Sequence, residues 1–388
     1  MSLKLFHVIE SFDGQATEGW LRSLVEVSIR DGKDYKWTFF CTSCGEGRGD
    51  EEAHRVGARV LHAPVPLSST TLFARSLRRA LKHSGCEVLH CHHDVLSGLY
   101  LLASVGLPIR KRIVHVHNTS LTLPTSSRAK ERVARPILRN LCLRMADNVA
   151  GVSKDALRAL TRGDASRKRR DLVIPGGVDM RPFRGRAMGQ RLATRRSLGV
   201  ADGELALLFA GRLVKEKNPA FCLKVLQSVK QSGAGASLLF AGEGALREVL
   251  ADEARHLGLA GSVKLLGFRE DLADLMLASD MLLWTAQESP KEGLGLVVVE
   301  AQAAGLGVLA SRSIPNEAVV VPEIVHFIGL GEGPSRWAGE VMRIANEPRP
   351  SRKECLARVE GSPISLEASA KALFQLYDEA YIGGEGRR

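Results

Sequence analysis

Two carboxylates eight residues apart, Glu292 and Glu300, bracket a glycine-rich turn in Glu292-Gly-Leu-Gly-Leu-Val-Val-Val-Glu300. Gly293 and Gly295 let backbone approach a ligand closely and take positive φ. A helix expected from about Leu296 then offers unpaired N–H groups and the positive end of its dipole to an anion. A phosphate at this helix mouth, with carboxylates beside it for hydroxyls, suits a nucleotide sugar. The opposite charge comes from Gly211-Arg212-Leu-Val-Lys215-Glu-Lys217-Asn218-Pro219. Arg212 and Lys217 fall between a strand end and a helix that Pro219 opens at its favoured first position. Two cations at such a loop suit a diphosphate, which Arg binds bidentately.

The elements that must hold these groups alternate strand with helix. In the first half, strands are expected at Leu3–Ile9, Trp37–Cys41, Arg59–Ala63, Glu87–His92, Arg112–Asn118, Asn148–Val152 and Asp171–Ile174. Helices fall between them at about Ala16–Arg30, Thr71–Ser84, Leu96–Val105, Ser127–Met145 and Lys154–Leu160. The second half restarts at the continuous apolar run Leu205–Ala210 and continues with strands at Ser237–Ala241, Val263–Leu266, Met281–Trp284 and Val308–Ala310. Ser365–Tyr381 closes the chain as an amphipathic helix. Such alternation means α/β domains with doubly wound parallel sheets. Ligands then sit beyond the carboxyl ends of the strands. That rule gathers Gly14, His90, His92, His117 and Asn118 in the first half, and Gly211, Gly242, Gly267 and the Glu292 loop in the second.

At 388 residues the length favours two domains, and 45% apolar content is ordinary for a full core. The expected boundaries are 1–178, 179–362 and a C-terminal helix and tail over 363–388, with Pro175-Gly-Gly-Val-Asp179 as the hinge. No apolar run is long enough to span a bilayer, and Leu3–Ile9 is too short and unflanked for a signal peptide. Seven scattered cysteines read as reduced cytosolic thiols. Cys41-Thr-Ser-Cys44 lacks the second ligand pair that a zinc site needs, so no metal is expected. The net charge of +11 concentrates in Arg128–Arg144, at +5, and Arg162–Arg196, at +8. These read as a solvated helix face and a basic linker, or as surfaces attracted to anionic lipid or an anionic acceptor. In the first of them Ala134, Ile137, Leu138, Leu141, Cys142 and Met145 form an expected core-facing stripe. Nucleic acid is not an expected partner, because no aromatic residues interleave the charges as stacking platforms.

Taken in order, these motifs resemble the retaining family 4 glycosyltransferases of the GT-B fold over nearly the whole chain. The residues that carry the resemblance are Gly211-Arg212 with Lys217-Asn218, Gly242-Glu243-Gly244, Leu266-Gly267-Phe268 and the Glu292/Glu300 pair. The first half adds Val88-Leu-His90-Cys-His92, Ser97-Gly98-Leu99, His115-Val-His117-Asn118-Thr119 and Gly151-Val152-Ser153. Glu300-Ala-Gln-Ala-Ala-Gly305 looks most like the capsular and exopolysaccharide branch.

The resemblance implies two Rossmann-like domains facing across a cleft, with the last helix returning to the N-terminal domain. It implies transfer from a nucleotide-diphosphate sugar, expected to be UDP-linked, to a glycan or lipid-linked acceptor, in the cytoplasm or at the inner face of the membrane. Arg212 and Lys217 would hold the diphosphate, and Gly267-Phe268 the base. Glu300 would bind the ribose, Glu292 the transferred sugar, and the N–H groups near Leu294 to Val297, Leu296 among them, the sugar and phosphate. Gly14, Gly242, Gly293 and Gly295 would complete the donor side. His117 would face the reacting centre, with His90, His92 and Asn118 on the acceptor side. No metal or other cofactor is implied, since cations and the helix end replace one. The alternatives are a GT-B UDP-sugar epimerase, which would want acidic groups where the first half offers histidines, and a non-catalytic glycan-binding module. A dehydrogenase is excluded by the missing dinucleotide fingerprint.

Overall fold

A computed structural model describes residues 2–12, 16–123, 127–162, 170–185 and 188–382. Gly14 and residues 163–169 and 186–187 of the second basic segment lie outside the described residues. The chain divides into two compact units, Met1–Asp179 with Leu366–Arg388, and Met180–Ser365.

Unit 1 runs β1 (Leu3–Ile9), α1 (Ala16–Arg30), β2 (Tyr35–Cys41), α2 (Asp50–Arg55), β3 (Arg59–His62), α3 (Thr70–Ser84), β4 (Val88–Cys91), α4 (Ser97–Ala103), β5 (Lys111–Val116), α5 (Arg128–Met145), β6 (Asn148–Gly151), α6 (Lys154–Thr161) and β7 (Arg170–Val173). Its seven strands order β3-β2-β1-β4-β5-β6-β7, all parallel. The order reverses between β1 and β4, where Phe6 pairs with Leu89 and His7 with His90. Leu21, Leu24 and Val25 of α1 bury against Leu5 and Ile9 of β1, the period of 3.6 meeting the period of 2.

Unit 2 runs α7 (Met188–Ser197), β8 (Leu205–Ala210), α8 (Pro219–Gln231), β9 (Ala236–Ala241), α9 (Arg247–His256), β10 (Val263–Gly267), α10 (Leu272–Ala278), β11 (Met281–Trp284), α11 (Leu296–Ala303), β12 (Gly307–Ala310), β13 (Val325–Phe327), α12 (Pro334–Ala345) and α13 (Arg352–Glu360). Its sheet orders β10-β9-β8-β11-β12-β13, again all parallel, and reverses between β8 and β11. The last helix, α14 (Leu366–Ile382), belongs to unit 1. There Leu373, Phe374 and Tyr377 join the core with Trp37 and Phe39.

Two readings of the basic segments are corrected. Ile137 is not part of a core stripe: it is 56% exposed, as Val133 is 64%. Cys142 of that stripe is buried, together with Leu143, and Ala134, Leu138, Leu141 and Met145 are half-buried; α5 runs through Pro136. The second segment is not all linker, because α7 is a helix fastened by its cations. Arg191 and Arg195 both ion-pair with Asp280, at 2.5 and 2.9 Å, and Arg195 also donates to Ala278 O. Those two side chains are therefore committed inside unit 2.

Candidate functional site

In unit 2 the carboxyl ends of the strands gather the expected donor residues. Gly211 leaves β8 at φ 149°, and Gly242 leaves β9 at φ 150°. A Cβ on Gly242 would lie 2.0 Å from Gly211 O, so only glycine lets the two loops pass. Gly242 N donates to Gly267 O at 2.7 Å, and Leu213 N to Glu243 O at 2.8 Å. The three loops thus brace one another. Phe268 follows Gly267 and is 51% exposed, an aromatic face open to solvent.

Lys217 and Glu292 meet. The Lys217 ammonium donates to both carboxylate oxygens at 2.7 Å, with both side chains more than four-fifths buried. Its Nζ also lies 4.7 Å from the centre of the Trp284 ring, a cation–π distance. Thr285 holds this loop from below, donating to Asn218 O at 2.9 Å, and Gln287 N donates to Glu216 O at 2.9 Å. Arg212, by contrast, is exposed, and its guanidinium makes no hydrogen bond or ion pair with the described residues.

Gly295 caps α11 at φ 81°, and an added Cβ would lie 2.7 Å from Ile314 Cδ1. Gly293 and Leu294 are buried just before it, and Leu296 is half-buried. Glu300, one turn into the helix, has no side-chain partner among the described residues. Burial pushes its carboxyl up to about 7. Gln302 fixes the helix: its amide donates to Val298 O and Ala318 O and accepts from Val320 N and Val321 N. Every hydrogen-bonding position of that buried amide is filled.

Unit 1 carries a chain of histidines that the sequence only half revealed. His115 Nε2 lies 2.9 Å from Ile174 O, a carbonyl that can only accept. Nε2 therefore carries the proton, and in a neutral ring Nδ1 accepts. His115 Nδ1 faces His90 Nε2 at 3.3 Å, so His90 donates there and accepts at Nδ1 from the Tyr377 hydroxyl, 2.7 Å away. Tyr377 accepts in turn from His7 Nε2 at 3.4 Å. His7 Nδ1 accepts from His92 Nε2, and His92 Nδ1 from His117 Nε2, each at 3.0 Å. The last nitrogen, His117 Nδ1, is left as an acceptor 3.4 Å from the Thr17 hydroxyl.

Neutrality of every ring is set by burial. It lowers His7 to about 3, with His115 adding repulsion, and His115 to about 4. His90, His92 and His117 are likewise pushed well below the usual range, by burial first and then by neighbouring histidines.

Backbone around His117 is fixed by Asp94, which accepts from His117 N at 2.7 Å and from the Asn118 side chain at 2.8 Å. Burial raises the Asp94 carboxyl to about 6 against these hydrogen bonds. His117 is half-buried and Asn118 exposed. His90 and His92 are buried and spend their nitrogens inside the chain. The expectation that His90 and His92 reach an acceptor is corrected on that ground: both nitrogens of each ring are engaged and the residues are 0% and 6% exposed. Asp94, His7 and Tyr377 were not singled out in the sequence. Asp94 follows His92-His93 at a strand end, a placement that could have found it.

Comparison with known proteins decides what this arrangement belongs to. Residues 30–181 match the family described as Glycosyltransferase Family 4, and residues 190–356 match Glycosyl transferases group 1. The protein EpsF of Bacillus subtilis, named as a glycosyltransferase, is 33% identical over 319 residues, 80% of each chain. The chain belongs to the family 4 glycosyltransferases. This transferase is also 28% identical over 343 residues to the D-inositol 3-phosphate glycosyltransferase of Segniliparus rotundus, across 84% of its own length and 74% of the relative's. Its GT-B fold is shared with solved structures. Anabaena HepE, in complex with UDP and glucose, matches at TM-score 0.76 and 17% identity, over 97% of this chain and 100% of that one. Sucrose-phosphate synthase from Thermosynechococcus elongatus matches at TM-score 0.76 and 18% identity, over 98% and 100%.

Proposed function

We propose that the transferase moves a sugar from a UDP-linked donor, with retention at the anomeric carbon, to a glycan or lipid-linked acceptor in making a surface polysaccharide. The observation that carries this reading is the charge arrangement at one sheet edge of unit 2. Arg212, without a protein partner among the described residues, follows β8, and Lys217 is aimed by Glu292 and Trp284. The N-terminal end of α11, capped by Gly295 with no side-chain hydrogen bond, follows the loop that carries Glu292. A diphosphate leaving from the sugar carbon would gather negative charge there, and preorganised donors stabilise such charge most. Glu300 would take the ribose hydroxyls, Gly267 and Phe268 the base, Glu292 the sugar, and Gly14, Gly242, Gly293 and Leu294 the backbone contacts. In unit 1, His117 Nδ1, fixed as an acceptor, would orient a hydroxyl at the reacting centre, with Asn118 beside it. These charges do the work of a metal ion, so the transfer needs none. EpsF, named as a glycosyltransferase, and HepE, solved with UDP, support the class of reaction and donor.

In this reading the acceptor is met at a membrane surface, which the composition of α5 supports. Val133 and Ile137 stand exposed one turn apart among the exposed cations Arg128, Lys130, Arg132, Arg135 and Arg144. Apolar side chains ringed by Lys and Arg suit the interface of an anionic leaflet. No helix among the described residues is long and apolar enough to cross a membrane, and the proposed contact is a peripheral one on the cytoplasmic face. A mass-spectrometric screen of UDP-, GDP- and ADP-sugars against lipid-linked saccharides tests the reading. Transfer from a UDP-sugar supports it, and transfer only from another nucleotide overturns the donor assignment.

A further inference from the structure

Cys41, Asp50 and His62 lie far apart in sequence but close together in unit 1. Cys41 ends β2, Asp50 opens α2 and His62 ends β3. One ligand atom from each falls within 4.8 Å of the others. Cys41 and Asp50 are buried, and the His62 side chain is one-fifth exposed. His62 Nε2 lies 2.6 Å from Asp50 Oδ2, which also accepts from Gly47 N at 3.1 Å. Yet Asp50 Oδ1 and His62 Nδ1 are both buried with no hydrogen-bond partner among the described residues. Two unpartnered polar atoms in one small cluster are costly, because each keeps its full desolvation penalty.

Two other clusters of ligand-type side chains occur among the described residues, His7/His90/His92 and His92/His115/His117. Their nitrogens are used up in the histidine chain. Among the described residues only the Cys41 cluster combines a sulfur, a nitrogen and a carboxylate, and in it Asp50 Oδ1 and His62 Nδ1 are left without a hydrogen bond. That donor set is borderline-soft and suits zinc or a similar transition ion rather than magnesium or calcium. Bond lengths of roughly 2.0–2.3 Å place tetrahedral ligands about 3.3–3.7 Å apart, so the cluster needs only small side-chain shifts to close on an ion. Asp50 oriented by Gly47 N–H is the outer hydrogen bond expected of a ligating carboxylate.

We propose that Cys41, Asp50 and His62 bind a zinc-class divalent ion that clamps the loop between β2 and α2. The lone Cys41-x-x-Cys44 motif looked incomplete in the sequence because its partners are nine and twenty-one residues beyond Cys41 and come from other elements. The clamp acts on more than its own loop. Gly49 N donates to Phe12 O at 2.6 Å, and Ser43 N to Glu10 O at 3.0 Å. A Cβ on Gly47 would lie 2.9 Å from Phe12 N. An ion on Cys41 and Asp50 therefore stiffens the backbone leaving β1, the carboxyl end of the strand at the unit's switch point. This role is separate from the charge stabilisation proposed at Arg212 and Lys217.

The full chain, freed of metal by a chelator, is titrated with cobalt(II) as a spectroscopic substitute for zinc. Wild type is expected to take up one equivalent with a thiolate-to-cobalt charge-transfer band. Cys41→Ser and His62→Ala are expected to bind at least roughly tenfold more weakly, Cys41→Ser without the band, while Cys86→Ser keeps both band and affinity. Zinc should raise the melting temperature of wild type and leave that of His62→Ala unchanged. The proposal is overturned if wild type shows no thiolate band, if Cys41→Ser retains it, or if zinc stabilises wild type and His62→Ala equally. Circular dichroism of each variant identifies one that has not folded, and the other then decides.

Discussion

Acidification should unfold unit 1 and spare unit 2. His7 and His115 are fully buried and neutral, lowered to about 3 and about 4 by burial. At pH 5 the folded unit holds these rings uncharged, while an unfolded chain with histidines near 6.5 has taken up the protons. Stability is then fully present above about 6.5 and falls with pH from there down to the folded values. Each pH unit costs about 1.4 kcal/mol per histidine, so pH 5 costs about 2 kcal/mol for each, and about 4 kcal/mol for these two. His90, His92 and His117 push the same way. Asp94, raised to about 6, opposes them, returning about 1.4 kcal/mol between pH 6 and pH 5. In unit 2 the sign is reversed at Glu300. Its raised value of about 7 means the folded unit takes up a proton before the unfolded chain does, which favours folding as pH falls. A loss of 4 kcal/mol in a unit of this size lowers Tm by roughly 8–16 °C. Hydrogen exchange read by mass spectrometry at pH 7.5 and pH 5, corrected for intrinsic rates, resolves the two units. Peptides of β1, β4 and β5 should lose protection while those of β8 and β9 keep it. Equal loss in both units, or unchanged protection in unit 1, would refute the buried neutral chain.

Further outcomes follow from individual side chains. Arg212→Ala should lower kcat/KM by about 10²–10³ with stability changed by no more than about 0.5 kcal/mol, since the side chain is exposed and unpaired among the described residues. Lys217→Ala should lose activity similarly but also stability, because it strands the mostly buried Glu292 carboxylate, and a thermal melt separates the two variants. Donor affinity should improve as pH rises through about 7, when Glu300 ionises into an acceptor for hydroxyls, and Glu300→Gln should flatten that dependence in calorimetric titrations. Tyr377→Phe interrupts the hydrogen-bond chain at its middle. Nitrogen-15 spectra of labelled histidine should show His117 protonated at Nε2 in wild type and a mixture of tautomers in the variant, with kcat reduced.

Much of this is legible in the sequence. Leu205–Ala210 and Met281–Trp284 were read to the residue because buried parallel strands are unbroken apolar runs. Pro219 marked the start of α8 for the same kind of local reason. The misses share a different cause. α7 looks like a basic linker because its helix is justified by Arg191 and Arg195 reaching Asp280, more than eighty residues away. β13, three residues long, is too short to show a period. Ile137 fitted the core-facing stripe by spacing, yet it stands 56% exposed while Cys142 of the same stripe is buried. The histidine chain depends on contacts such as His90 with Tyr377, separated by 287 positions, which no local pattern carries.

The central claim is that Arg212 and Lys217 hold a uridine diphosphate at the head of α11. Calorimetric titration of UDP into wild type and into Arg212→Ala tests it most directly. The account predicts saturable binding to wild type and binding at least roughly tenfold weaker to the variant, the worth of one charge-assisted contact. Equal affinity for both proteins, or binding of ADP or GDP but not UDP, would contradict it.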